Sequence, residues 1–144
     1  MKQEELLAAY ARAVYRVDAA PEPIFLRVGE ASPELERWLA ARGARRFAFL
    51  SAANPGSVAL ADDENRRRHQ RLLARLQGCG LPAIAGESYE AAGLGWREAS
   101  LLVVGLERAA AIALARELGQ VALLVGEAGG PVELVLTSAA PEKS

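Results

Sequence analysis

The sequence predicts a single α/β domain in which a mixed β-sheet is flanked by helices and ends in a C-terminal hairpin. Short apolar runs typical of buried strands alternate along the chain with amphipathic segments of helical spacing. The 144 residues, 51% of them hydrophobic, suffice for one conventional core. Because no repeat or linker divides the chain, we assign residues 1–137 to one domain and residues 138–144 to a frayed tail.

Amphipathic spacing and terminal signals define four predicted helices. In the second helix, Ser32 is a favoured N-cap residue, Pro33 suits the first helical position and Gly43 ends the helix. In the third, the inner face carries Asn65 and His69 near its start and leucines further on. The predicted helices, with their caps, span Glu4–Tyr15, Ser32–Gly43, Asp62–Gln77 and Glu107–Leu118.

Apolar runs between these helices give the predicted strands. The segment from Gly86 to Arg97 contains three glycines and is predicted to be a loop. Gly129, Gly130 and Pro131 form a turn, so the last two strands are expected to pair as a hairpin. The predicted strands are Ile24–Val28, Phe47–Leu50, Leu81–Ala85, Ala99–Val104, Val121–Val125 and Val132–Leu136.

The charge balance and the cysteine count argue against several classes of protein. A net charge of -1 is not expected of a nucleic-acid binder, which is usually strongly basic. One cysteine, Cys79, and one histidine leave no internal disulfide and no zinc site of the usual Cys/His kind, so no metal site is predicted. No apolar run reaches the roughly 18 residues that a bilayer span needs, and the acidic N-terminus is unlike a signal peptide. We therefore expect a cytoplasmic protein without membrane contact.

The first group of candidate site residues lies where the Phe47–Leu50 strand leads into a turn-rich loop and the third helix. Ligands of open α/β folds usually bind where strand ends meet helix starts. The polar side chains at this junction are Ser51, Asn54, Ser57, Asn65 and His69. The alternative is that Asn65 and His69 only form hydrogen bonds with loop carbonyls around Asn54 and Pro55, because buried polar groups need partners with or without a ligand.

The second group precedes the Leu101–Val104 strand. In an extended segment Trp96, Glu98 and Ser100 share one side, and Gln120 precedes the next strand. A carboxyl group between a tryptophan and a buried strand is expected to have a raised pKa, which would suit an acid or base. The alternative, which we favour at this point, is a salt bridge from Glu98 to an arginine, with Trp96 filling the core.

Three further signals are given structural interpretations. Ser51, Ser57 and Ser100 lack the sequence context of a serine nucleophile. The arginines of the third helix are expected to form a solvated and charge-paired face rather than a phosphate site. These residues are Arg66, Arg67, Arg68, Arg71 and Arg75. Cys79 lies between two glycines and has no evident activating partner.

Taken in order, four motifs resemble domain-of-unknown-function family 3293, a group of small bacterial proteins. The motifs lie at 47–57, 64–65, 96–100 and 118–120, and the resemblance extends from about Tyr15 to Val125. It implies that the polar clusters belong together, and it brings no reaction with it. Ala61 departs from the family pattern, which often has a serine there. Asp62 must then cap the helix, or the helix begins uncapped.

These observations leave three functional hypotheses. In the first, the two clusters form a pocket for a small polar, nucleotide-like ligand, with Glu98 as the catalytic acid or base and the other cluster residues as ligand contacts. In the second, the protein is a non-catalytic interaction module, for example a homodimer, and the polar clusters only hold loops. In the third, the arginine face binds nucleic acid, which the net charge argues against. The sequence names no cofactor.

Overall fold

The structure is a computed structural model that describes residues 3–91 and 95–137. The tail predicted at 138–144 and part of the predicted loop lie outside the described residues. The elements in chain order are helix α1 (Gln3–Arg12), strands β1 (Val14–Val17) and β2 (Ile24–Leu26), helix α2 (Pro33–Ala40), strand β3 (Arg46–Leu50), a 3-10 turn (Pro55–Ser57), helix α3 (Asp62–Gly78), strands β4 (Ala83–Tyr89) and β5 (Arg97–Val104), helix α4 (Arg108–Glu117), and strands β6 (Ala122–Glu127) and β7 (Glu133–Leu136).

The seven strands form one sheet in the order β2-β1-β4-β5-β3-β6-β7. Every pair of neighbouring strands is antiparallel. Helix α3 connects β3 to β4, and α4 connects β5 to β6. In each case the two connected strands are parallel, but an antiparallel strand lies between them. The α/β class and the C-terminal β6–β7 hairpin are confirmed. The alternation of strands and helices predicted a mixed sheet, whereas all neighbouring strands are antiparallel.

The alternating side chains of the central strands build two apolar layers, one on each face of the sheet. On one face, Phe47 and Phe49 pack with the buried leucines of α2. On the other face, Ala48 and Leu50 pack with the buried side chains of α3 and α4. The two-residue period of a strand produces this division, because successive side chains point to opposite faces. The predicted helical cores of α2, α3 and α4 are therefore confirmed.

Two predictions about β1 and β4 were wrong. Residues Val14–Val17 form a strand instead of the last turn of the first helix, and their burial alternates with a two-residue period. Strand β4 continues to Tyr89 through the predicted loop. Gly86 lies inside this strand because a Cβ atom there would collide with the carbonyl oxygen of Arg16 on β1 and approach the Phe49 ring. Gly86 allows two strands to approach closely. In the sequence alone, a glycine suggests a loop instead.

Helix α3 begins without a side-chain cap, which is the second of the two expected alternatives. Ala61 occupies the N-cap position and provides no side-chain hydrogen bond, while Asp62 is the first helical residue. At α2 the prediction is confirmed, since the Ser32 hydroxyl accepts a hydrogen bond from the backbone N–H of Leu35 at 3.2 Å. None of the helices in the described part of the chain is long and apolar enough to cross a membrane.

Candidate functional site

The candidate site lies at an edge that opens within the sheet where β3 ends. Leu50, the last residue of β3, pairs with Leu101, so the first residues of β5 have no β3 partner on that side. The loop after β3 takes the place of the missing strand. The Ser51 hydroxyl donates to the carbonyl oxygen of Ala99 and accepts from the backbone N–H of Ala53, both at 2.9 Å. Ser51 therefore holds the loop against the open edge of β5.

A pair of asparagines, which we call the asparagine latch (Asn54 and Asn65), joins this loop to α3. Asn65 Oδ1 accepts from the backbone N–H of Asn54 at 3.0 Å, and Asn65 Nδ2 donates to Asn54 Oδ1 at 2.8 Å. Asn54 Oδ1 also accepts from the backbone N–H of Leu60 at 2.9 Å. Asn54 is left-handed, with φ of 47°, a conformation that asparagine tolerates better than most residues. The latch fixes the loop on the first turn of α3.

Glu98 accepts a hydrogen bond from the latch. Asn54 Nδ2 donates to Glu98 Oε2 at 3.1 Å, and no arginine or histidine nitrogen of the described residues lies within 4.0 Å of this carboxylate. The expected salt bridge from Glu98 is therefore absent from the described part of the chain, and that prediction was wrong. Burial raises the pKa of Glu98, while the hydrogen bond from Asn54 partly opposes this effect.

Glu98 lies between two spaces in the protein surface. The first, which we call the inner cavity, has a volume of about 30 Å³, enough for one or two water molecules. Its polar and aromatic lining includes Tyr10, Tyr15, Ser51, Ser88, Trp96, Glu98 and Gln120. The second, which we call the outer cleft, has a volume of about 250 Å³. It is lined by Ala53, Asp62, Asn65, Arg66, His69, Arg97, Glu98 and Ala99.

Aromatic side chains close one side of the inner cavity. The rings of Tyr10 and Trp96 meet edge to face with their centres 5.9 Å apart. The hydroxyls of Tyr10 and Ser57 are 2.9 Å apart and share a hydrogen bond, while the Tyr15 hydroxyl donates to the carbonyl oxygen of Tyr10. Burial raises the pKa of Tyr10, and the nearby Glu98 adds to this shift. Trp96 also packs against the core, as the structural interpretation of this residue predicts.

His69 lies in the outer cleft, one helical turn from Asn65. Its Nδ1 atom is buried and has no hydrogen-bond partner among the residues that the structure describes. Burial lowers the pKa of His69, which keeps the ring neutral to lower pH than usual. Nδ1 is therefore a buried atom without a hydrogen-bond partner in the described chain, and it is not exposed to the cleft. His69 forms no hydrogen bond with the loop carbonyls, unlike the alternative considered for it.

The predicted site residues thus fall into three groups. Glu98 lines both spaces; Ser51, Trp96 and Gln120 line the inner cavity; Asn65 and His69 line the outer cleft. Asn54 lies behind Glu98 as its hydrogen-bond donor. Ser57 and Ser100 line neither space. Ser57 supports Tyr10, and the fully buried Ser100 is paired with the Ser88 hydroxyl at 2.8 Å.

Two features of the site were missed or misjudged by sequence reasoning. The tyrosines of the inner cavity come from α1 and β1, far from the motifs in sequence, and no local signal connects them with Glu98. Arg68 is not part of the solvated, charge-paired face. Its guanidinium donates to the carbonyl oxygens of Ala52 and Leu118, at 2.5 Å and 2.8 Å, so it ties the loop after β3 to the end of α4. Arg67, Arg71 and Arg75 are paired with acids as predicted.

The fold and the site define a single-domain α/β protein with a half-buried carboxyl group at an open sheet edge. A protein-family model described as "Protein of unknown function (DUF3293)" matches residues 50–123, about half of the 144-residue chain. The chain belongs to this family, as the resemblance of its motifs predicts. The match includes the asparagine latch and Glu98, and it begins after Tyr10 and Tyr15. Searches of curated proteins and of solved structures gave no match.

Proposed function

We propose that the protein binds a small polar ligand in the outer cleft and that Glu98 is the group that recognises it. One observation carries the proposal. Glu98 is a desolvated carboxyl group whose hydrogen bonding within the described chain is limited to the Asn54 amide. A carboxylate has about four acceptor positions, and buried acceptors are normally satisfied. The free positions of Glu98 are available to a ligand.

The surroundings of Glu98 support the same proposal. His69 lines the same cleft, and its buried Nδ1 has no hydrogen-bond partner among the described residues. Perturbed titratable groups that converge in a concave site are typical of ligand-binding and catalytic centres. The amide groups of the asparagine latch are hydrogen-bonded to the loop and to Glu98. We therefore assign Asn54 and Asn65 a positioning role and leave ligand contact to the other groups of the cleft, with Glu98 as the recognising group.

The volume of the outer cleft limits the size of the ligand. Drug-sized ligands occupy pockets of about 300–1,000 Å³, and the cleft holds about 250 Å³. A ligand of amino-acid or nucleobase size fits this volume better than a complete nucleotide. Trp96 lines the inner cavity and not the cleft, so it is not placed to stack on a ligand there. In any reaction on such a ligand, the raised pKa would let Glu98 serve as acid or base.

A thermal-shift screen of nucleobases, nucleosides, sugars, amino acids and divalent ions tests the proposal. Ligand at about 100 times its dissociation constant adds roughly 2.7 kcal/mol to the stability of the folded state, a shift of several degrees. A true ligand should stabilise the parent and Glu22→Gln, which changes an exposed carboxylate outside both spaces. It should stabilise Glu98→Gln much less. A screen without a hit, or a hit that all three proteins bind equally, would contradict the proposal.

The second candidate function is a non-catalytic interaction module, such as a homodimer, in the cytoplasm. One observation favours it: the amide groups of the latch are paired within the chain, as scaffolding requires. Sedimentation velocity of the parent over a range of concentrations would detect self-association. Loss of stability without loss of any ligand response in the latch variants would favour this function over the first.

A further inference from the structure

We propose that the ligand of the outer cleft is a zwitterion of the α-amino-acid type, whose ammonium group binds Glu98 and whose carboxylate binds Arg66. This inference rests on the proposed function and adds the chemical class of the ligand. It depends on the charges that face the cleft and on which of them already have partners in the protein.

Glu98 favours a cationic group. Hydrogen bonds between ionised partners are roughly twice as strong as those between neutral ones. The carboxylate lacks an ion-pair partner in the described part of the chain, and Asp62 adds a second acidic side chain to the lining of the cleft. An ammonium group can donate three hydrogen bonds, so one such group can use the free acceptor positions of Glu98. A neutral hydroxyl would leave the desolvated charge unbalanced.

Arg66 provides the complementary charge. Two arginines line the cleft, but Arg97 is bound to Glu87 and lies over the Tyr89 ring at 4.7 Å. Within the described residues the guanidinium of Arg66 has no ion pair or hydrogen bond, whereas its neighbour Arg67 pairs with Glu64 at 2.9 Å. The planar guanidinium fork matches the geometry of a carboxylate. Arg66 is therefore the lining cation that remains available to an anionic group.

The side chains of Glu98 and Arg66 line the same cleft, which lies between α3 and β5 and also has neutral polar residues in its lining. Arg66 and Asn65 come from the first turns of α3, and Glu98 comes from the facing edge of β5. A ligand with both charges satisfies both side chains, while a simple amine or a simple acid would leave one of them unpaired. The volume of about 250 Å³ is small enough to favour a single amino acid or a close analogue.

Isothermal titration of the standard amino acids into the parent, each followed by its N-acetyl derivative and its amide, tests the assignment. The N-acetyl derivative lacks the ammonium group and the amide lacks the carboxylate. We expect at least one amino acid to bind, and both derivatives to bind about tenfold more weakly or worse, because each loses a charged hydrogen-bonding group.

The variants show which residue recognises which group. Glu98→Gln should bind the free amino acid and its N-acetyl derivative with similar affinity, and Arg66→Gln should bind the free amino acid and its amide with similar affinity. Arg27→Gln, which alters an exposed arginine away from the cleft, and Glu22→Gln should behave as the parent. A parent that binds N-acetyl derivatives as tightly as free amino acids overturns the inference.

The same measurements separate this inference from the proposed function. Binding of a nucleobase or sugar that depends on Glu98, with no response to amino acids, would overturn the zwitterion and leave the proposed function in place. The absence of binding by every compound in both panels would overturn both. Unchanged affinity for an amino acid in both Glu98→Gln and Arg66→Gln would place the ligand elsewhere and also overturn both.

Discussion

Replacing Asn65 by alanine tests how much the asparagine latch contributes to the stability of the site. The substitution deletes the acceptor of the Asn54 N–H at 3.0 Å and the donor to Asn54 Oδ1 at 2.8 Å. A third contact, to the carbonyl oxygen of Leu60 at 3.5 Å, is too long to contribute much. The loop that carries Asn54 then loses its connection to the first turn of α3.

The expected loss follows from these two hydrogen bonds. Each contributes about 1 kcal/mol net to the free energy of unfolding, and the half-buried Asn54 N–H left without a partner adds to the cost. Alanine offsets part of this loss, because it is a better helix former than asparagine by about 0.5–0.7 kcal/mol. We expect a net loss of about 2 kcal/mol, which lowers the melting temperature by about 6 °C in a domain of this size.

Urea unfolding followed by tryptophan fluorescence measures this loss, and Gln70→Ala is the matched control. Gln70 is exposed on the same helix, so its substitution reports the gain in helix propensity without the latch. A difference between the two variants smaller than about 0.5 kcal/mol, the usual range of a surface substitution, would refute the role of the latch. The slope of the transition should stay the same in both variants, since neither changes the surface exposed on unfolding.

Three further predictions concern the pH dependence of stability, the packing at Gly86 and the loop contacts of Arg68. Because burial raises the folded-state pKa of Glu98, the parent should lose stability as the pH rises through that pKa. Glu98→Gln should therefore match the parent at about pH 3.5 and exceed it at about pH 7.5 by about 1.4 kcal/mol for each unit of the shift, measured by urea unfolding; equal stability at both pH values would contradict this. Gly86→Ala should lower the free energy of unfolding by about 1–3 kcal/mol through its collision with β1, whereas Gly78→Ala, whose added Cβ meets nothing within 4 Å, should be neutral or stabilising in the same assay. Arg68→Lys should lower the melting temperature by several degrees, because an ammonium group cannot make both carbonyl contacts of the guanidinium; Arg71→Lys, at an exposed pair 3.6 Å apart, should have almost no effect.

Local signals predicted the elements whose causes are local. The Ser32 cap and the leucine spacing place α2 and α3 correctly, since capping and periodicity are encoded within a few residues. Strand β1 was missed because its partners, β2 and β4, come later in the chain, and a four-residue strand has little periodicity of its own. The extension of β4 was missed because the reason for Gly86 is a contact with β1.

In the candidate site, too, local features were predicted and features that depend on distant contacts were missed. Polar residues between a strand and a helix predicted that Asn54, Asn65 and Glu98 would come together, and they form one hydrogen-bonded chain. Sequence spacing could not separate the inner cavity from the outer cleft, because Tyr10 and Tyr15 come from α1 and β1, far from the motifs in sequence. It also misjudged Arg68, since its carbonyl partners lie 16 and 50 residues away, in the loop after β3 and at the end of α4.

The edge-to-face contact of Tyr10 and Trp96 gives the chain a built-in optical probe. The sequence contains two tryptophans, and the other, Trp38, lies on α2 beneath the guanidinium of Arg42. In a Trp38→Phe variant, all tryptophan emission would come from the wall of the inner cavity. Its wavelength and its quenching by acrylamide would then report how firmly α1 sits over the cavity. Any ligand, partner or substitution that shifts α1 could thus be followed in real time, without a label.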